Sequence, residues 1–305
     1  MKRACSSLPI SGSNGSSIVN SDGVSSAAGT SKYFPDAPAA KRRARSTTAT
    51  AAAETTAAAA ASSKANDDRS TSASGSGSAS TCSRLKREFF DVDCESLARK
   101  LLGCLFVHRI DSGSGPAKEI RSRIVETEAY LGGSDKAAHS YGGKRTQRNT
   151  AMYMQAGTLY VYMLYGMHRC VNVSSHGDGA AVLLRSVEPA DDESEEEMRR
   201  SRAKTPEAAK KLKPKDIAAG PGRLGAAMGI SLDMTCMDTT TDESSVWFEG
   251  SPDGGDGSCS TSQMVISKRV GVDYAEEWAA KPLRFYLADS KCISVRDKAA
   301  ESLLL

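Results

Sequence analysis

The sequence "RSRIVETEAY" (121–130) opens a stretch, residues 121–185, that decides the fold of this chain. Apolar and polar side chains alternate along its first segment, residues 121–130, as in a β-strand with one buried face. A later segment, "GTLYVYMLYGMHRCVNVSS" (157–175), alternates in the same way on both sides of Tyr165 and Gly166. A glycine between two such runs favours a chain reversal, so the sequence predicts a β-hairpin with Tyr165 at its tip.

Short strands and short helices are predicted on both sides of this stretch. "CLFVHRI" (104–110), "SVWFE" (245–249) and "MVISKRVGV" (264–272) are typical of strands, and "CESLARKLL" (94–102) of a helix capped by Asp91 or Asp93. The acidic run "EPADDESEEEMRRSRAK" (188–204) predicts an exposed helix with ion pairs four residues apart. The expected class is therefore α+β: a single domain with a curved, largely antiparallel β-sheet, flanking helices and a protruding β-hairpin.

The composition divides the chain into two parts. Residues 1–83 consist mainly of Ala, Ser, Thr and Gly, which cannot bury enough apolar surface to offset the entropy of ordering. We therefore expect a disordered, low-complexity N-terminal tail and one folded domain over residues 84–305. The tail holds 9 of the 40 Lys/Arg and 5 of the 37 Asp/Glu, so its net charge is +4 and that of the domain is 31 minus 32, or −1. Any nucleic-acid surface on the domain must then be local.

Cysteine spacing and targeting signals indicate the setting of the protein. The eight cysteines form no C-x-x-C pair and no zinc-like cluster with histidine, and there is no secretory signal or long apolar run. We expect a protein of a reducing compartment, with no metal and no membrane partner. The basic cluster "AAKRRARS" (39–46) fits a nuclear localisation signal or a phosphate-binding arm, and the Ser-rich start leaves a DNA-containing organelle open.

Strand alternation places Ile124, Glu126, Glu128 and Tyr130 on one face of the first strand. A carboxylate beside an aromatic ring in a dry pocket can act as a general base on water, although two solvated glutamates on a polar face would give the same pattern. On the hairpin, Tyr160 and Tyr162 share a face in the same way. An exposed tyrosine at the tip suggests insertion into a stacked duplex, and cross-strand packing is the alternative.

Residues 139–177 contain no Asp or Glu. The same stretch contains four Lys and Arg residues: Lys144, Arg145, Arg148 and Arg169. A basic run interleaved with aromatic residues, beside paired carboxylates, indicates chemistry on nucleic acid.

Four separated motifs, in order, resemble the alkyladenine (3-methyladenine) DNA glycosylase family. They are "RIVETEAYLGGSDKAAHSYGG" (123–143), "GTLYVYMLYGMHRCVNVSS" (157–175), "GAAVLLRSVEP" (179–189) and "RVGVDYAEEWAAKPLRFY" (269–286). The resemblance runs from about residue 89 to residue 295. It implies a base-flipping, monofunctional enzyme that hydrolyses the N-glycosidic bond of damaged purines in double-stranded DNA without a cofactor.

The resemblance also implies roles for individual residues. Glu128 matches the general base, and Arg185 and the backbone carbonyl of Val270 match groups that help to hold the attacking water. The remaining matches concern the flipped base and the duplex. Tyr130, His139 and Tyr162 match the aromatic walls of the base pocket. Backbone groups at Ala137 and His139 match the groups that read the edge of the base. Asn172 matches the residue that disfavours the 2-amino group of guanine. Tyr165 matches the wedge, and Lys144, Arg145, Arg148 and Met152 match the DNA-contacting surface.

Two other functions remain open on the residue pattern. A silent nucleic-acid-binding module could use the tyrosine hairpin only for stacking, and an N-glycosidase could act on free nucleosides or RNA. The sequence does not rank 3-methyladenine, 7-methylguanine, hypoxanthine and ethenoadenine as substrates. We expect a monomer that acts in the nucleus or in a DNA-containing organelle.

Overall fold

The computed structural model describes residues 83–111, 113, 115–251 and 264–304. The helices are α1 (Arg87–Phe90), α2 (Cys94–Lys100), α3 (Asp192–Arg202), α4 (Pro206–Lys211), α5 (Pro214–Ile217), α6 (Pro221–Ala227) and α7 (Lys298–Glu301). The strands are β1 (Leu105–Ile110), β2 (Lys118–Tyr130), β3 (Leu159–Leu164), β4 (His168–Ser174), β5 (Ala181–Pro189), β6 (Val246–Glu249), β7 (Met264–Ser267) and β8 (Arg284–Leu287). Residues 1–82 of the predicted low-complexity tail, with its basic cluster, lie outside the described residues.

The strands form one open antiparallel sheet, which confirms the predicted α+β class. Strands β3, β4, β5, β2, β1 and β6 lie side by side in that order, and β8 joins β2 to β7. The thirteen-residue strand β2 is central, because β5 follows one of its edges while β1 and then β8 occupy the other. The chemistry-bearing half of β2 is therefore paired on both edges and held rigidly.

Strand β2 contains an irregularity at the point where the strand paired with one of its edges changes from β1 to β8. Its register with β5 shifts between Ile124 and Glu126 and again between Glu126 and Thr127. The prediction that Ile124 shares a face with Glu126 was wrong, because such a bulge breaks the two-residue alternation. Ile124 instead belongs to the apolar core together with Val125 and Ala129.

The helices cover the apolar side of this sheet and form the core with it. Asp93 caps α2 by accepting the Ser96 N–H at 2.9 Å, so the second of the two proposed caps is correct. Helix α3 carries the predicted Glu195–Arg199 and Glu196–Arg200 ion pairs on its exposed side. No helix in the described part of the chain combines the length and the apolarity needed to cross a membrane.

The predicted hairpin is formed by β3 and β4. Tyr165 and Gly166 both have positive φ, 51° and 70°, and the Met167 N–H donates to the Leu164 carbonyl at 3.2 Å. Positive φ at both central residues is the signature of a type I′ turn, whose twist matches that of a hairpin. Tyr165 and Met167 are 67% and 69% exposed, so the tip projects two large apolar side chains into solvent.

Candidate active site

Glu128 lies completely buried near the end of β2, and both of its oxygens accept hydrogen bonds. The Tyr130 hydroxyl donates to Oε2 at 2.9 Å, and the Val270 N–H donates to Oε1 at 2.7 Å. Val270, predicted to act through its carbonyl, thus touches Glu128 through its amide. Arg185 Nη1 lies 3.3 Å from Glu128 Oε1. The carboxylate is fixed in orientation and sits beside a permanent positive charge.

Glu126 lies next to this site and accepts hydrogen bonds from an unusually full set of donors. They are Arg185 Nε at 3.0 Å, Arg284 Nη1 at 2.9 Å, Ser186 Oγ at 2.7 Å, Ser294 N–H at 2.8 Å and Ser294 Oγ at 2.9 Å. Burial acts to raise the pKa of Glu126, but the Arg185 charge and the Ser294 N–H outweigh it and hold the pKa below its usual value. Glu126 therefore stays ionised at neutral pH, where it accepts hydrogen bonds from Arg185 and Arg284.

Two hydrogen bonds hold the Arg185 guanidinium in place beside Glu128. Its Nε donates to Glu126, and its Nη2 donates to Ser294 Oγ at 3.0 Å. Burial acts to lower the pKa of Arg185, but Glu128 and Glu126 outweigh it and raise the pKa. The guanidinium remains charged, and its Nη1 is the edge presented to Glu128.

Cross-strand pairing extends the site from β2 to the hairpin. Glu128 pairs with Leu183 on β5, Leu183 pairs with Asn172 on β4, and Asn172 pairs with Tyr160 on β3. Directly paired residues in a sheet share a face, so these four side chains form one row. Asn172 is buried and its Nδ2 donates to the Tyr160 carbonyl at 3.0 Å, which fixes its side chain.

Three further aromatic residues, Tyr130, His139 and Tyr162, border this row, which itself ends in Tyr160. The His139 and Tyr162 rings lie edge to face with centroids 4.6 Å apart, and Tyr160 packs behind Tyr162 at 5.5 Å. Tyr130 stands at the Glu128 end, with the Arg269 guanidinium 4.7 Å from the centre of its ring. The predicted wall residues Tyr130, His139 and Tyr162 are thus arranged around the same row as Glu128.

The ionisation of His139 is set by its neighbours. Its Nδ1 lies 2.8 Å from the Tyr160 hydroxyl, and Arg148 Nη2 lies 3.2 Å from its Nε2. Arginine only donates, so Nε2 is the acceptor and Nδ1 carries the proton. Burial, together with the Arg148 and Lys144 charges, lowers the pKa of His139 to about 3. The ring is neutral at physiological pH.

A buried ion pair fixes the loop that carries His139. Arg269 donates to both Asp135 oxygens at 2.6 and 2.9 Å, and neither side chain is exposed to solvent. Asp135 also accepts the N–H groups of Leu131 and Ala137 at 3.0 Å each. The Ala137 N–H is therefore engaged within the loop. This pair joins the loop after β2 to the segment of Val270.

The predicted DNA-contacting residues divide into two groups. Lys144, Arg145 and Arg148 are exposed, and Arg148 connects to the pocket through His139. Met152 is different, because only 3% of it is exposed and it packs with Tyr160 and Ala181 beneath the aromatic wall. Its side chain supports the pocket here, and a contact with DNA would require it to become accessible.

Several residues of the site were missed in the sequence. Ser294 and Arg284 belong to the Glu126 network, and Tyr160 and the Asp135–Arg269 pair support the pocket walls. Asp135 and Arg269 stand within the quoted motifs, but nothing in their spacing shows that they meet across 134 residues. Within the described residues, no cluster of three or more His, Cys, Asp or Glu is arranged to hold a metal ion.

A buried carboxylate beside a fixed arginine, in a row bordered by aromatic side chains, is a candidate enzyme active site. Sequence comparison identifies the family. A model described as methylpurine-DNA glycosylase matches residues 88–291. The chain therefore belongs to the methylpurine-DNA glycosylase family. The predicted family and the predicted enzyme class, a DNA glycosylase, are confirmed.

Individual relatives agree with this assignment. DNA-3-methyladenine glycosylase of Homo sapiens is 46% identical over 218 residues, which cover 72% of this chain and 70% of that protein. The Mus musculus protein of the same name is 44% identical over 221 residues, covering 72% and 64%. A putative 3-methyladenine DNA glycosylase of Desulfitobacterium hafniense is 42% identical over 216 residues, covering 70% and 99%. The chain thus spans about two thirds of the mammalian relatives and nearly the whole bacterial one.

Proposed function

We propose that this protein flips alkylated or deaminated purines out of duplex DNA and hydrolyses their N-glycosidic bond, leaving an abasic site. The observation that carries the proposal is the buried Glu128, oriented by Tyr130 and Val270 and placed 3.3 Å from Arg185. A silent binding module has no need for a carboxylate held in this way. The substrates proposed are 3-methyladenine, 7-methylguanine, hypoxanthine and ethenoadenine.

Glu128 acts as the general base in this proposal. Each of its oxygens already accepts one hydrogen bond and has a second lone pair with which to bind a water molecule. Arg185 Nη1 and the Val270 carbonyl help to hold that water. As the bond between C1′ and the base breaks, its electron pair leaves with the purine and the sugar becomes cationic. An alkylated purine departs neutral because it was cationic, whereas hypoxanthine and ethenoadenine take a proton from solvent as they leave. Water attacks C1′ and gives its proton to Glu128, whose charge also stabilises the sugar cation.

The pocket suits a flipped purine that carries positive charge. Tyr130, His139 and Tyr162 offer π-faces on which an alkylated base can stack, and aromatic faces attract cations. His139 is neutral because its pKa is about 3, so it adds no repulsion. Asn172, fixed by its bond to the Tyr160 carbonyl, is the residue we propose disfavours the 2-amino group of guanine. Backbone groups at Ala137 and His139 are proposed to read the base edge, and at Ala137 this role falls to the carbonyl because the N–H is bonded to Asp135.

The protein is proposed to be a monofunctional monomer that requires no cofactor and works in the nucleus or in a DNA-containing organelle. The decisive experiment incubates the purified protein with duplexes that each carry one of the four lesions and measures release of the free base. Release from at least one duplex, with no release from undamaged DNA, is expected. Binding without release would favour a silent binding module, and release only from nucleosides or RNA would favour a different N-glycosidase.

Tyr165→Ala is expected to weaken binding to a duplex with an abasic-site analogue by about ten- to a hundredfold, because stacking of an aromatic side chain contributes about 1–3 kcal/mol per base. The exposed ring at the hairpin tip is the wedge proposed to occupy the place of the flipped base. Tyr165→Phe keeps the ring and is the control, with an affinity close to that of the wild type. Equal affinities of Tyr165→Ala and the wild type, measured by fluorescence anisotropy, would contradict the wedge role.

Ser294→Ala is expected to lower the single-turnover rate of base release about tenfold while leaving lesion affinity within about threefold of wild type, because hydrogen bonds to charged groups are the stronger ones. The hydroxyl binds both Arg185 and Glu126, so its loss loosens the guanidinium that faces Glu128. Ser294→Thr retains the hydroxyl and should restore the rate. Ser290→Ala removes a buried hydroxyl bonded to Glu188 outside the site and is the matched control. An unchanged rate in Ser294→Ala would show that Ser294 does not position Arg185.

A further inference from the structure

Five lysines are grouped between α3 and α6 on a surface outside the site described so far. This lysine surface consists of Lys204, Lys210, Lys211, Lys213 and Lys215, and all five side chains are exposed. The interval 204–215 contains a single acidic residue, Glu207. Among the described residues, none of the five lysines forms an ion pair, whereas Arg199 and Arg200 of the neighbouring α3 pair with glutamates of their own helix. Arg199 and Arg200 are thus paired within α3, whereas no carboxylate of the described residues lies within ion-pair distance of the five lysines. The acidic residues Glu188, Glu195 and Asp289 line a hollow together with Lys213 and Lys215.

The backbone beneath these lysines is firmly anchored. Thr205 caps α4 by accepting the Ala208 N–H at 3.2 Å, and prolines begin both α4 and α5. Arg199 donates to the carbonyls of Ala209 and Leu212, which ties the segment back to α3. Lysines on a fixed backbone lose less freedom on binding than lysines of a flexible arm. Binding to the lysine surface therefore costs less conformational entropy than binding to a flexible run of charged residues.

Helix α6 connects the lysine surface to the hairpin. Asp216, next to Lys215, lies 3.5 Å from Arg223 of α6. In the same helix, a Cβ at Gly222 would lie 2.8 Å from the His168 ring, and one at Gly225 would lie 2.2 Å from the Arg169 carbonyl. Only glycine allows such a close approach of α6 to β4. Helix α6 thus links the segment of the lysine surface to strand β4 of the hairpin.

The two faces of the hairpin are covered by different elements. The 3₁₀ segment Gln147–Tyr153, which bears Arg148, packs with Tyr160 on the pocket face. Leu224 and Ala227 of α6 share the main core with Val171 and Val173, which alternate with the pocket-facing residues of β4. The segment that bears Arg148 and helix α6 therefore cover opposite faces of the hairpin, and the segment of the lysine surface is connected to the α6 side through Asp216 and Arg223. A wedge that enters a duplex has phosphates on both sides, and the Arg148 side can serve only one of them.

We infer that the lysine surface binds phosphates of the DNA duplex that flanks the flipped nucleotide, on the side of the hairpin opposite Arg148. The inference rests on the proposed function for the identity of the partner. The contacts are independent of sequence, because lysine neutralises phosphate as a point charge and releases counterions. This surface also explains how a domain with a net charge of −1 can present a basic surface to DNA.

The test replaces Lys211, Lys213 and Lys215 by glutamine in the full-length protein and measures binding to a duplex with an abasic-site analogue over a range of salt concentrations. We expect binding at least about tenfold weaker at low salt, and a slope of log K against log salt that is smaller by about 2–3, since each phosphate contact contributes about 0.9. The matched control replaces Lys86, Lys100 and Lys298 by glutamine, which removes the same total charge from other parts of the domain. Its affinity and slope should stay close to those of the wild type.

Three outcomes would overturn the inference. The first is that the triple variant and its control have the same affinity and the same slope. The second concerns polyglutamate, measured in parallel as a model of an acidic protein. If wild type binds it, the triple variant does not, and DNA binding is unchanged, the surface binds an acidic protein partner instead. The third is a loss of slope without loss of DNA affinity. Base release at saturating protein should be unchanged in the triple variant, so failure of the proposed function would appear separately, as inactivity of the wild type.

Discussion

Glu128→Gln is expected to abolish measurable base release while the protein still binds lesion DNA. We expect the single-turnover rate to fall by about 10²- to 10⁴-fold, the usual contribution of a positioned general base. Glutamine preserves the size of the side chain, and its amide oxygen can still accept the Val270 N–H. It cannot take a proton from water or neutralise a sugar cation, so only the chemical step is lost.

The measurement is release of the free base from a lesion duplex under single-turnover conditions, with affinity determined in parallel. Glu188→Gln is the matched control, because Glu188 is a partly buried glutamate on β5 that pairs with Arg123 away from the site. It should keep the wild-type rate. A Glu128→Gln variant with full activity would remove the proposed mechanism, and one that binds no DNA would show that Glu128 has a structural role.

Asp135→Ala is expected to lower the free energy of unfolding by about 3–5 kcal/mol, because it leaves the Arg269 charge buried without its partner. Both side chains are inaccessible, and Arg269 donates to both Asp135 oxygens. The loop N–H groups of Leu131 and Ala137 lose their acceptor at the same time. A loss of this size is a large fraction of the stability of an ordinary domain.

Chemical denaturation of the full-length protein gives this free energy. Asp178→Ala is the control, since Asp178 is 88% exposed in its side chain and lies 3.5 Å from Arg145, and exposed pairs contribute about 0–1 kcal/mol. Adding Arg269→Met to Asp135→Ala should recover part of the loss, because it removes the uncompensated charge. A cost below about 1 kcal/mol for Asp135→Ala would mean that water reaches Arg269 and takes over its hydrogen bonds.

The local elements of this fold were predictable because each depends on neighbouring residues. Alternation in "LYVYML" and the glycine at position 166 predicted the hairpin, and the aspartates Asp91 and Asp93 were the two candidates for the start of α2, of which Asp93 is the cap. The bulge after Ile124 was not predictable. It arises where β2 changes partner from β1 to β8, a choice made by strands far away in the chain.

The sequence by itself determined the fold class and the hairpin with its exposed tyrosine, since residue type and local spacing carry that information. Its resemblance to a known family supplied the candidates Glu128, Arg185 and Tyr162. Only the tertiary structure decided how Arg185 is held. Ser294 reaches it from 109 residues away and Arg284 joins Glu126 from 158 residues away. No local pattern encodes such contacts. They form because buried charges must find partners, and which partners come within reach depends on how the sheet and its final segments pack together.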